Sequence, residues 1–389
     1  AGAIFVFFLL VFLVHTGLGL ISSNLAFRPE ELVVVYIMSI VSCSIPTMGL
    51  TEYLLPILGG AHYYATPENE WAVLIHPYIK SWMVPQEFTA VKNFYEGSPR
   101  GVGIAWESWA LPLLTWIPMI LSIYFSMACI MVILRKQWIV RERLAFPLIQ
   151  VPLAMTEDDG SGRALKPFFR NWLMWVGFSL PFFVGSLKAL HNYFNFIPTV
   201  VTQTSIPLFR NTAVLQIALS FPMLGFSYLV NTDIAFSIWF FSLVMRAQEG
   251  IFGVLGISSP EKLYYAPPEP IVAHQGMGAF IVMVLFGLWT ARDHLSDVFR
   301  KAFKGDDTVD DSEEMMSYRF AVFGLLLANV FIGMWLWTAG MEFWVVPIYL
   351  GTMYLVFLAV TRLVAEGGIA AARAPLIPSD FVSSSLGNS

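Results

Sequence analysis

The stretch VMRAQEG, residues 244–250, places a guanidinium, an amide and a carboxylate within a long apolar run. Arg246 and Glu249 are three residues apart, a helical spacing at which opposite charges meet on one face. Together with Gln248 they could bind a polar solute or exchange a coupling proton. An ionisable group at the centre of a bilayer costs about 3 kcal/mol on insertion scales, so each is a candidate for function. Asp233, in SYLVNTDIAFSIWF (227–240), is a second candidate for coupling. Glu52, in CSIPTMGLTEYLLP (43–56), is a third and would line an entrance. Each has a plainer meaning. Arg246 and Glu249 could be a structural pair facing neighbouring helices. Asp233 could belong to a helix cap at the membrane surface, and Glu52 could sit at the outer interface beside a simple kink. Arg362 and Glu366, four apart in TRLVAEGG, read as a helix end closed by Gly367 and Gly368.

Other chemistries leave no mark on the chain. There is no Walker A sequence for an ATP-driven motor, and HExxH, CxxCH and G-x-S-x-G are absent. The sequence supports no enzyme, cofactor or metal site. Of six histidines, His15 alone lies deep in an apolar run, and a lone membrane histidine is more often packed and hydrogen-bonded than a ligand. Cys43 and Cys129 also lie in apolar runs and read as packing residues. No basic patch of nucleic-acid type is present.

The elements that must position the candidates are membrane helices. The chain is 57% hydrophobic and 13% charged, against about 25% charged in soluble domains, and its mean hydropathy is +0.67. The expected fold class is all-α, a polytopic transmembrane helical bundle treated as one domain over residues 1–389. Runs of about 20 apolar residues predict nine spans: 3–25, 33–57, 109–134, 172–190, 212–230, 234–255, 275–291, 320–339 and 343–361. Fifteen of the 22 Lys and Arg then fall on one side, which the charge bias makes cytoplasmic. The first residues are expected outside and the last inside, across the cytoplasmic membrane. The opening AGAIFVFF, without Met or a basic leader, reads as a chain entered part-way through a helix.

Length arithmetic places Asp233. From Thr212 to Gly253 a continuous helix would measure about 63 Å, twice the hydrocarbon thickness. The run is therefore expected to be a helical hairpin turning at Asn231-Thr232-Asp233, where Thr232 and Asp233 are good helix caps. Arg246 then lies about 18 Å into the following helix. Gly250, Gly253 and Gly256 follow at a spacing that allows close packing. Pro46 with Gly49, and Pro222 with Gly225, are expected to break two spans, a device that brings free backbone groups to transporter sites.

Three connections are long. Residues 58–108 are expected outside as an aromatic-rich lid, with a short surface helix in 85–97 beginning at Pro85. Residues 135–171 are expected inside, with an interfacial segment in RERLAFPLIQVPLAM, broken by Pro147 and Pro152, and a solvated turn at 156–166. Residues 292–318 are also expected inside, and their acidic run KGDDTVDDSEE reads as solvated.

Several stretches, taken in order, resemble a prokaryotic branch related to the oligopeptide transporter superfamily. They are VRERLAFPLIQVPLAMT, LSFPMLGFSYLVNTDIAFSIWFF, HQGMGAFIVMVLFGLWTARDHL, SYRFAVFGLLLANVFIGMWLW and TRLVAEGG, which together span about residues 130–370. The resemblance implies a proton-coupled carrier of peptides or metal chelates, and a further membrane region after TRLVAEGG. No substrate motif maps residue by residue. The resulting expectation is a secondary transporter of a small polar solute in the lipid bilayer, alone or as a homo-oligomer. The alternative is a non-transporting subunit that scaffolds a larger membrane complex.

Overall fold

Long apolar runs with few helix breakers make helices wherever backbone groups must pair internally, as they must in lipid. The computed structural model describes residues 2–45, 50–160, 163–263, 270–369 and 372–387. The longer elements, in chain order, are α1 (Gly2–Ile21), α2 (Pro29–Ser44), α3 (Thr51–Tyr63), α4 (Phe88–Glu96), α5 (Trp106–Arg141), α6 (Pro147–Thr156) and α7 (Trp172–Tyr193). A hairpin of β1 (Gln203–Leu208) and β2 (Ala213–Ala218) follows. The chain continues through α8 (Phe221–Ser227), α9 (Thr232–Leu255), α10 (Pro270–Thr290), α11 (Arg292–Lys304), α12 (Tyr318–Ala339), α13 (Val345–Gly367) and α14 (Pro378–Leu386).

Among the described residues, seven helices are long and apolar enough to cross a membrane: α1, α5, α7, α9, α10, α12 and α13. The chain is an integral membrane protein built as a helical bundle. Two of the nine expected spans are not continuous helices. In 33–57, α2 ends at Ser44 and α3 begins at Thr51. Pro46 and Gly49, expected to break that span, lie outside the described residues. The expected span 212–230 is corrected outright. Ala213–Ala218 is a strand, paired antiparallel with Gln203–Leu208 in the register Ile206 to Leu215. The helix after it, α8, has only seven residues. Pro222 lies in its first turn, where a missing N–H costs nothing, and Gly225 lies inside it.

The fold divides into two compact units. One comprises residues 1–44, 144–277 and 360–376. Its core gathers Phe7, Phe8 and Val11 of α1, Leu32 and Tyr36 of α2, Met155 of α6 and Phe169. α6 therefore contributes to packing. It starts at Pro147 and runs through Pro152, so neither proline interrupts it. The expected solvated turn 156–166 is tied down at its end: Lys166 is buried and meets Asp158 at 3.2 Å. Lys166, chiefly by that hydrogen bond, holds the Asp158 carboxyl below its ordinary range. In α1 the turn Leu10–His15 is a π-helix. His15 at its end is buried, but its Nδ1 has no partner among the described residues, against the expectation of a hydrogen-bonded histidine.

The other unit comprises residues 45–143, 278–359 and 377–389. α5 and α12 form its spine. Cys129, Val132 and Ile133 pack against Tyr318, Ala321 and Val322, with Val298 and Ala302 of α11. Further along, Met119, Ile332 and Leu336 pack with Val346. α11 is held under α5 by a hydrogen bond between His294 Nε2 and the Ile133 carbonyl, 2.8 Å. The acidic run is not merely solvated. Arg135 Nε donates to Glu314 Oε2 at 2.6 Å, the Glu314 side chain is 2% exposed, and Arg300 and Lys301 pair with Asp306 and Asp307. The surface helix in 85–97 is α4, which starts at Phe88; Pro85 is fully buried three residues earlier.

Candidate functional site

α9 begins where a side chain can satisfy its first free N–H groups. Asn231 is the N-cap, its Oδ1 accepting from the Asp233 N–H at 3.1 Å. The cap is thus Asn231 and not Thr232 or Asp233. Asp233 sits in the first turn, where a carboxylate is favoured by the helix dipole, and its carbonyl accepts from the Ser237 hydroxyl at 2.7 Å. Three stretches of the resemblance meet around this end. The Phe146 N–H donates to the Ala365 carbonyl at 3.0 Å. A Cβ on Gly368 would lie 2.7 Å from Pro147 and 3.4 Å from Val230, and one on Gly367 would lie 3.9 Å from Ile234. Gly368 has φ +58°, a left-handed conformation that suits glycine and ends α13. Arg362 Nε donates to Glu366 Oε2 at 3.1 Å just before that end.

The charged pair lies towards the other end of α9. Arg246 Nη1 donates to Glu249 Oε2 at 2.6 Å. Glu249's side chain is 9% exposed and Arg246's 38%, so the carboxylate is enclosed while the guanidinium reaches open space. Gln248 points elsewhere, as residues two apart on a helix must: its Nε2 donates to Gln275 Oε1 of α10 at 2.9 Å. One residue back on α10, His274 Nε2 lies 2.9 Å from Glu261 Oε2. The zone at this end of α9 thus holds two separate contacts, Arg246 with Glu249 and Gln248 with Gln275, and the His274–Glu261 pair lies one residue along α10. Glu52, exposed in the first turn of α3, belongs to the other unit, and Asp233 stands at the opposite end of α9.

Beside this zone the β-hairpin docks. Its turn puts Phe209, Arg210 and Asn211 at φ 49°, 59° and 71°, three consecutive non-glycine residues in the left-handed region. Two glycines of α9 receive it. A Cβ on Gly250 would overlap the Phe209 ring, and one on Gly253 would lie 2.5 Å from Thr212 Cβ. Thr212 Oγ1 donates to the Gly250 carbonyl at 3.1 Å. Both strands are largely exposed. The glycine spacing foretold a close approach, but its occupant is a hairpin turn and not a helix.

The contacts made by His274, Gln275 and Glu261 were not foreseen. The one available signal was polar HQ near the start of the next span. Among the described residues no group of three or more His, Cys, Asp or Glu could hold a metal ion.

Comparison with known proteins gives one positive result. No curated protein and no solved structure matches. The model of a family of unknown function, DUF6785, matches residues 1–389, and the chain therefore belongs to the DUF6785 family.

Proposed function

We propose that this membrane protein is a secondary transporter that couples a proton to the movement of a small polar, peptide-like solute. The observation that carries this reading is the Arg246–Glu249 pair, held within a helix of membrane-crossing length with its carboxylate enclosed and its guanidinium open. The hairpin supports it. Non-helical backbone at membrane depth is tolerated only where protein packs it or water wets it. The exposed strands beside α9 suit the wall of a wetted vestibule.

The pair supplies a coupling device. While Glu249 is ionised it engages the guanidinium. Protonation of Glu249 removes that partner and leaves Arg246 to a carboxylate of the solute, which a planar guanidinium binds well. Proton and solute then bind together or not at all. The resemblance to the oligopeptide transporter superfamily agrees with such a carrier. In this reading Asp233 serves its helix end.

In proteoliposomes driven by a pH gradient, Glu249→Gln should abolish uptake of a dipeptide mixture without changing the elution volume of the purified protein. Undiminished uptake by that variant would remove Glu249 from the mechanism. A second reading, a scaffolding subunit of a larger complex, is favoured by α7, whose apolar window has no buried residue. Purification separates the two: a carrier runs alone or as a homo-oligomer, whereas a scaffold brings stoichiometric partners.

A further inference from the structure

The second unit holds a cavity that the transport reading does not use. It measures 570 Å³, within the roughly 300–1,000 Å³ of ordinary ligand pockets. Leu54 and Leu55 of α3, Ala90 and Phe94 of α4, and Trp109 and Leu113 of α5 form its walls. No lining residue is charged; the polar lining side chains are Thr51, Asn93 and Ser98. Asn93 is half-buried, and among the described residues its side-chain amide makes no hydrogen bond.

The walls are firmly placed. Tyr95 of α4 donates to the Pro56 carbonyl of α3 at 2.6 Å. A Cβ on Gly59 would come within 3.1 Å of Val91. Trp109, itself buried, stacks at a tilt on Phe94 with ring centroids 5.3 Å apart. Packed helices therefore bound the cavity on the sides of α3, α4 and α5, and Ser98 with Gly103, Ile104 and Ala105 completes its lining.

Its composition selects the occupant. A wall without charge offers nothing to balance a charged solute, and burying an unpaired charge there would be costly. The lining follows the first turns of α5, a membrane-length helix whose Leu114 is 71% exposed on the adjoining surface. Trp106 at the start of α5 also lines the cavity, and tryptophan favours the headgroup level of a bilayer. The cavity thus lies along a helix of membrane-crossing length, beside one of its exposed leucines.

We propose that this cavity is a binding site for one acyl chain of a membrane phospholipid, with Asn93 as a partner for the polar ester region. The site seats a lipid chain between α3, α4 and α5. It does not rest on transport, and either reading can fail alone.

The test uses the full chain reconstituted in phosphatidylcholine vesicles that carry a phosphatidylcholine with a diazirine part-way along one acyl chain. After illumination, labelled residues are mapped by peptide mass spectrometry. Labelling at Leu54, Ala90 and Trp109 should saturate with probe concentration, while labelling at bilayer-facing Leu114 should rise in proportion to it. Ala90→Phe, which fills the cavity, should reduce the wall labelling to background and leave Leu114 unchanged. If Ala90→Phe does not fold, judged by its elution volume, Leu113→Trp serves the same purpose from the opposite wall. Absence of wall labelling, wall labelling that never saturates, or wall labelling that survives cavity filling would overturn the proposal. So would equal wall labelling by a water-soluble diazirine, which would mark the cavity as aqueous.

Discussion

α9 and α12 are both long and apolar enough to cross a membrane, yet they are held by different means. In the most apolar stretch of α12, 39% of residues are buried; in that of α9, 6% are. α12 is fixed by side chains: Tyr318, Ala321, Val322, Ile332 and Leu336 interlock with α5 and its neighbours. α9 is fixed by the absence of side chains, through Gly250 and Gly253, and by polar links from Gln248 and its Asn231 cap. Helix length and hydropathy therefore say little about how a membrane helix is anchored. The more weakly buried helix carries the charged pair.

The comparison can be broken by substitution. Ile332→Ala should lower stability by about 2–5 kcal/mol, since it opens a cavity at a fully buried position. Phe236→Ala, on the exposed face of α9, should change it by about 0.5 kcal/mol or less. Thermal unfolding in detergent measures both, and equal losses would erase the distinction. Gly250→Leu should cost about 1–3 kcal/mol by driving a side chain into Phe209. In trypsin digestion, the variant's hairpin turn should be cut faster at Arg210; an unchanged rate would mean that the glycine is not what seats the turn. A double-mutant cycle with Arg246→Ala and Glu249→Ala should give a coupling of about 1 kcal/mol, because the arginine is partly exposed. A coupling near zero would reduce the pair to a crystallographic-style proximity without consequence.

The smallest effect concerns the α12 unit alone. His294 is pushed below the ordinary histidine value of 6.5, first by burial and then by Arg141 and Lys136; the Ile133 carbonyl and Asp297 oppose the shift. The native state thus favours the neutral ring, so the unfolded state binds more protons across this range. Its contribution to stability is complete above about 6.5 and declines as pH falls from there towards the lowered native value. A melting temperature that drops from pH 7 to pH 5 should drop less in His294→Gln. An identical drop would mean that other groups control the acid limb.

Much of this fold was legible because lipid imposes a simple rule. Seven of the predicted spans correspond to long apolar helices, since a run such as AVFGLLLANVFIGMWLW has no other way to satisfy its backbone. The hairpin was not legible. AVLQIA is a short apolar run that periodicity cannot assign to strand or helix, and Pro207 argues against a strand in its partner. The length argument rightly excluded one helix from Thr212 to Gly253, but it could not choose what replaced its first half. At the candidate site the Arg246–Glu249 contact followed from spacing alone. The links to Gln275 and from His274 to Glu261 depend on where α10 stands beside α9, and no local pattern encodes that.

The hairpin turn also has a consequence for biogenesis. Phe209, Arg210 and Asn211 hold conformations that cost free energy unless their surroundings impose them. The groove that imposes them is made by Gly250 and Gly253, and the hydrogen bond from Thr212 to Gly250 joins residues 38 apart. A ribosome therefore delivers the turn well before its seat exists. The two strands must wait at the insertion machinery, hydrated or chaperoned, until α9 has been synthesised and threaded beside them. Local folding in this part of the chain cannot proceed from first residue to last; it is completed backwards, by a helix that arrives late.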